Sequence, residues 1–348
     1  MRRIPLSQIQ PHMHLARDIY HLNSLLLREG TSNLDRYTAS LANLGITSIY
    51  IVDNISEDIE IPDAITEQTR VKCKDALQDT LFHFRTEGSF DTTCLSRAID
   101  SLIEDLFARK DVLISLTDIA TTDDNTLVHS VSTTVLSLLM GQRLNLSEVE
   151  MRVLAEGALL HDIGKTLLDP AILFKTEPLT SEEFAHIQMH PLLGYRALQR
   201  NPLITELSRL LALQHHERLD GSGYPQHLPG EDTHLFAKIV AIADVYDALT
   251  SERCYRKSMT NHQAYEILMS DSGTKLDAQL LHVFFNNIAI YPNGSLVRLS
   301  NGTRGIVKSQ NKEAPFRPLI RIIDDINGET VKLYDLDLMK DLTTQIVS

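Results

Sequence analysis

The stretch that decides the reading is His215-His216-Glu217-Arg218-Leu219-Asp220-Gly221-Ser222-Gly223-Tyr224-Pro225. It follows an apolar helical run and opens on two adjacent histidines. Neighbouring side chains on a helix lie about 100° apart, so both imidazoles cannot serve one core face. They can reach one point only where the helix ends and aims at it. Gly221 and Gly223 admit backbone angles closed to other residues, so the chain can turn sharply beside the pair. Tyr224 and Pro225 then add a stiff apolar surface.

Working outward, a second adjacent pair, His161-Asp162, also closes an apolar helix. His129 lies on an earlier helix, His190 between the two pairs, and Asp244 on a later apolar helix. Imidazole suits iron, manganese, nickel and zinc, and carboxylates hold two divalent ions close together. So many histidines with two aspartates exceed the needs of one tetrahedral zinc. Two metal ions is the economical reading.

Around this centre the 348 residues divide by texture. Residues 1–65 read as a small mixed α/β module, with apolar runs at Ser24 to Leu27 and Ile46 to Val52 flanking a helix near Asp35 to Leu44. Residues 66–116 are helix-compatible and read as a connector. Residues 117–290 are a run of helices, in which Ser147 with Glu150 and Thr180 with Glu183 fit the capping box. Residues 291–348 form a β module, with one hairpin turning at Asn301-Gly302 and another near Asn327-Gly328. The expected fold is multi-domain and mainly α, an all-helical centre between a mixed module and a β-hairpin module.

Composition excludes several classes. Apolar residues make up 43% of the chain, enough for a core, and no 18 of them stand in a row, so no membrane span or signal peptide is expected and the location is read as cytoplasmic. Cys73, Cys94 and Cys254 form no CxxC pair, which argues against disulfides and a thiolate zinc site. A net charge of −13 argues against a general nucleic-acid surface.

These residues resemble a known family. His161-Asp162-Ile163-Gly164-Lys165 matches the HDxGK signature of HD phosphohydrolases, and residues 215–225 match HHExxDGxGYP of the HD-GYP family. Residues 242–257, IADVYDALTSERCYRK, resemble its closing motif, departing at Cys254 where proline is usual. The resemblance implies an all-helical fold that degrades cyclic di-GMP to pGpG and in some members on to GMP, in bacterial second-messenger signalling. It makes His129, His161, Asp162, His190, His215, His216 and Asp244 the metal ligands, with Asp162 as the bridging carboxylate. A third metal in some members uses a glutamate where this chain has Asn125, near Asp123 and Asp124, so two ions, iron or manganese, are expected. Lys165, Arg253 and Arg256 stand where phosphate-binding cations are expected. The Gly223-Tyr224-Pro225 loop is, by the same resemblance, a docking surface for a protein partner such as a diguanylate cyclase domain. The N-terminal module resembles one that often precedes HD-GYP domains, which implies a regulatory or homodimer-forming role or a simple structural cap.

The expected chemistry is attack on phosphorus by a water that two cations share and deprotonate near neutral pH. Lys165, one turn past the His-Asp pair, can aim its ammonium at a phosphate. Asp247, one turn after Asp244, reads as a neighbour of the ligands or a helix cap, and His186 as a surface histidine or a neighbour of the ligands. Competing readings are a cyclic di-GMP sensor without turnover, an HD hydrolase of another phosphate ester, and an oxygen-activating di-iron enzyme. The filled ligand set argues against the sensor, and the three cations argue against the oxygenase.

Overall fold

The two ends of the chain belong to one unit of the fold. The computed structural model describes residues 1–21, 24–108, 125–251, 259–311, 313–327 and 329–347. These fall into two units, the first built from Met1–Asp63 and Ile288–Ser348. Its N-terminal part holds β1 (Arg2–Pro5), β2 (His14–Leu15), β3 (Ile19–His21), β4 (Ser24–Leu27), α1 (Thr38–Asn43) and β5 (Ser48–Val52). β5 is the central strand of an antiparallel sheet in the order β1-β5-β2, with Ile4 opposite Ile49. Ile4, Leu15, Ile49 and Ile51 share a buried cluster with Leu34, Leu41 and Ile46.

The C-terminal part is an antiparallel meander of β6 (Leu296–Arg298), β7 (Arg304–Ser309), β8 (Leu319–Asp324) and β9 (Thr330–Asp337). Both hairpins expected from the sequence are there, joined edge to edge by β7 and β8 into one sheet. The two ends of the chain meet through Ile59, which packs on Ile306 and Ile323. Beside them Arg321 pairs with Asp58 and with Asp335 (3.0 Å), and Lys308 with the same two carboxylates at 3.0 and 2.6 Å. Exposed ion pairs contribute little, so the buried isoleucines carry most of this union.

The second unit, residues 64–108 and 125–287 among those described, is all helical. Its helices are α2 (Glu67–Glu87), α3 (Thr93–Ala108), α4 (Asn125–Arg143), α5 (Glu148–Leu160), α6 (Pro170–Leu173) and α7 (Ser181–Ile187). They continue with α8 (His190–Leu198), α9 (Glu206–Gln214), α10 (Leu235–Thr250), α11 (Asn261–Ser270) and α12 (Ala278–Phe285). A 3-10 turn, Ile163–Leu167, follows α5. Both expected capping boxes are formed: Ser147 accepts from Glu150 N and Thr180 from Glu183 N, each glutamate reaching back. α10 is the most enclosed helix, apolar on nearly every side because α4, α9, α11 and α12 surround it. α2 and α3, read from sequence as a connector, bury Cys73, Leu77, Ile99, Leu102 and Leu106 within this same unit. Among the described residues no helix is long and apolar enough to cross a membrane.

Candidate metal centre

Five imidazoles and two carboxylates converge inside the helical unit. His161 and His215 are the C-cap residues of α5 and α9, whose carbonyl ends favour positive charge. Asp162 has already left helical geometry (φ −97°, ψ 7°), which lets its side chain turn back toward His161. His129 comes from the second turn of α4, His190 from the first residue of α8, and Asp244 from the middle of α10.

The two carboxylates stand between two sets of rings. Asp162 Oδ1 lies 3.3 Å from His190 Nε2 and 3.8 Å from His215 Nε2. Its Oδ2 lies 3.4 Å from His161 Nε2 and 3.9 Å from His129 Nε2. Asp244 spans the same division, with Oδ1 3.0 Å from His129 Nε2 and Oδ2 3.7 Å from His216 Nδ1. One group of donor atoms is thus His129, His161 and Asp162, and another is His190, His215 and His216, each within 4.8 Å.

The ring orientations have a common cause. His161, His190 and His215 direct Nδ1 at the carbonyl oxygens of Ala158 (2.7 Å), Ile187 (2.8 Å) and Ala212 (3.0 Å). A donating Nδ1–H leaves Nε2 bare and turned toward the carboxylates, the tautomer a metal requires. His129 is held by a side chain instead, its Nδ1 2.6 Å from Asp247 Oδ2. Asp247 also accepts from Ser251 Oγ at 3.1 Å, but its side chain caps no helix end, so of the two readings from the sequence the contact with His129 supports the neighbour of a ligand and not the cap.

The donor set fits divalent cations. His161 Nε2 and Asp162 Oδ1 are buried without a hydrogen-bond partner. Such atoms inside one buried centre are costly unless something binds them. Burial works against ionisation of Asp162, but Lys165 and His161 overcome it and hold the carboxyl well below its usual range. Burial and the neighbouring His216, His161 and His190 push His215 far down, and burial likewise lowers His216 despite Asp244. Both are therefore neutral and ready to ligate. Burial also works against the His129 cation, but Asp244 and Asp247 outweigh it and raise the ring to about 9.

A ligand must be deprotonated, so Mn²⁺ uptake near neutral pH should release about one proton, from His129. Affinity therefore climbs with pH below the raised value of about 9 and levels off above it, where the release fades. Calorimetry in two buffers of different ionisation enthalpy checks this; identical heats at neutral pH would contradict it.

Lys165 Nζ sits 2.5 Å from Asp162 Oδ2 at the rim, partly exposed. His186 stays outside the centre, exposed on α7 and accepting from Asp169 N at 3.4 Å. Arg253, Cys254, Arg256, Asp123 and Asp124 lie outside the described residues. The loop after the histidine pair is the part that sequence reading left without a cause. Glu217, only 3% exposed, accepts from Gln226 N (2.7 Å) and Leu228 N (3.0 Å) and so ties Gly223-Tyr224-Pro225 in place. Gly223 passes so close that a Cβ would sit 2.5 Å from Glu217 Cα and from His216 O. Tyr224 N donates to His216 O at 3.2 Å. Burial, aided by the Asp244 and Asp162 charges, raises the Tyr224 hydroxyl above its ordinary range and keeps it protonated. A glutamate placed between a histidine pair and a glycine loop was the only signal the sequence offered.

Comparison with known proteins identifies the family of the helical unit. The sequence pattern of the HD domain matches residues 103–280, and that of a KOW domain associated with HD domain matches residues 296–348. The chain is 34% identical over 238 residues to cyclic di-GMP phosphodiesterase PA4108 of Pseudomonas aeruginosa, covering 68% of this chain and 57% of that one. It is 43% identical over 141 residues to the cyclic di-GMP phosphodiesterase response regulator RpfG of Xanthomonas campestris, covering 40% and 37%. The chain thus spans about half, or less, of the length of these relatives. Among solved structures, Bd1817, an HDG"Y"P protein from Bdellovibrio bacteriovorus, superimposes with a TM-score of 0.50 at 20% identity, over 81% of this chain and 97% of that one. That likeness supports the fold.

Proposed function

Since the chain belongs to the HD domain family and carries the HD-GYP signature, we propose that it is a metal-dependent phosphodiesterase that opens cyclic di-GMP to pGpG, with GMP as the product of any second cleavage. The observation that carries this reading is the convergence of seven donor side chains around buried, unpartnered nitrogen and oxygen atoms. The names of the curated relatives supply the substrate.

Two divalent ions, iron or manganese, are the proposed cofactors; His129, His161, Asp162, His190, His215, His216 and Asp244 would hold them, with Asp162 as the shared carboxylate. When bound they supply Lewis acidity toward the phosphodiester and a nucleophile at neutral pH. Asn125 in place of a carboxylate favours two ions over three. The chain's own groups do the rest. The Lys165 ammonium at the rim meets a non-bridging phosphate oxygen, with Arg253 and Arg256 as further phosphate-binding cations, and fixed charge of this kind contributes most where negative charge grows. The enclosing apolar helices keep bulk water from the carboxylates and strengthen each of these interactions. The Gly223-Tyr224-Pro225 loop remains the proposed docking surface for a protein partner such as a diguanylate cyclase domain, and a homodimer and a cytoplasmic location complete the proposal.

The test is anaerobic reconstitution with Fe²⁺ or Mn²⁺, then chromatography of the products from cyclic di-GMP, with metal analysis on the same sample. Linear pGpG, alone or with GMP, is expected. Protein that holds two ions and leaves the cyclic dinucleotide intact would replace the enzyme with a sensor.

A further inference from the structure

Of the five converging imidazoles, His216 is the one without an anchor of its own. The Nδ1 atoms of His161, His190 and His215 are tied to backbone carbonyls, and that of His129 to Asp247. Among the described residues His216 makes no side-chain hydrogen bond; its Nδ1 faces Asp244 Oδ2 at 3.7 Å. It is also the most accessible of the five, with 17% of its side chain exposed against 8% or less for the others. An imidazole without a partner on its second nitrogen is free to turn about its ring axis, which weakens it as a ligand.

Ring contacts replace the missing hydrogen bond. Tyr224 lies over His216 with centroids 4.6 Å apart and planes 30° from parallel, and His215 lies against it at 4.1 Å and 44°. The tyrosine can act as a plate only because its own backbone is fixed, through Tyr224 N to His216 O and through the two bonds that Glu217 accepts from residues 226 and 228. Gly223 permits the approach, since any side chain there would strike the backbone of His216 and Glu217.

We propose that Tyr224, tied down through Glu217, is the positioning residue of His216, and so sets how tightly the centre holds the cation bound by His190, His215 and His216. The role belongs to the face of the ring and not to the hydroxyl. This rests on the metal-centre reading above, and it is independent of which substrate the centre takes.

Mn²⁺ titration of the full-length chain tests it, read as ions bound per chain and as the two affinities. Tyr224→Phe should bind Mn²⁺ as the unaltered chain does. Tyr224→Ala should weaken one ion by about 10–100-fold and leave the other within a few-fold. Glu217→Gln keeps one acceptor oxygen but turns an amide toward the other backbone N–H, so it should weaken the same ion to a smaller extent. Unchanged affinities in Tyr224→Ala would overturn the proposal, as would equal weakening of both ions, or a loss in Tyr224→Phe as large as in Tyr224→Ala. Should Tyr224→Ala unfold, Glu217→Gln and Tyr224→Phe still decide by the same readout. A chain that binds two ions in this pattern but spares cyclic di-GMP would sink the substrate assignment alone.

Discussion

Asp162→Ala should leave the helical unit folded and the centre unable to hold metal, with hydrolysis of cyclic di-GMP below detection. The carboxylate is 4% exposed, and its two oxygens stand within 3.3–3.9 Å of the Nε2 atoms of His129, His161, His190 and His215. Removing it deletes the group that both sets of imidazoles share, so Mn²⁺ affinity should fall by more than the roughly 10–100-fold typical of altering a ligand's neighbour. The fold survives because Asp162 follows the last residue of α5, Leu160, by two positions and caps no helix by its side chain. Lys165 loses its partner but is exposed enough to stay hydrated. Metal analysis after dialysis, with far-ultraviolet circular dichroism on the same sample, checks both halves. Retained metal and turnover would refute the bridging role.

Gly164→Ala should be the most destabilising single-methyl addition near the site. The new Cβ would overlap the carbonyl oxygen of His190 and lie 2.6 Å from Gly194 N. Both are backbone atoms of α8, so no side-chain rotation relieves the clash. Overpacking commonly costs about 1–3 kcal/mol, and a backbone-to-backbone collision belongs at the upper end. At that cost the helical unit should melt about 6–12 °C lower. The displacement separates the turn carrying Asp162 and Lys165 from the helix carrying His190, so Mn²⁺ affinity should fall with stability. Gly194→Ala is the control, because its Cβ would meet Gly164 N at 3.2 Å and would require only a small adjustment. Wild-type melting and metal binding in Gly164→Ala would mean that the two elements are not in such close contact.

Much of the centre was legible because its donors come in short-range pairs. His161-Asp162 and His215-His216 each break helical periodicity at a helix end, and no packing role explains two such breaks. Asp247 was only half legible, since its partner His129 is 118 residues away and helix spacing alone cannot separate a cap from a tether. Glu217 has no role readable from the sequence, because its buried bonds to residues 226 and 228 appear only once the loop has closed. The two β hairpins could be read from turn chemistry. Their union with the first strands could not, because it rests on Ile59 against Ile306 and Ile323, contacts no local pattern encodes. Residues 66–116 read as a connector because they are helix-compatible and carry no motif, whereas the burial of α2 and α3 is settled by what packs against them.

The backbone carbonyls of Ala158, Ile187 and Ala212 that orient three of the imidazoles have a consequence for how this centre can vary. A carbonyl oxygen is present whatever residue occupies its position, so substitution there need not disturb the ring it steers. Only His129, through Asp247, and His216, through Tyr224, depend on replaceable side chains. Sequence drift can therefore retune the centre's choice of ion at two places while the remaining rings stay fixed, which makes Asp247 and Tyr224 the natural positions at which to engineer metal preference.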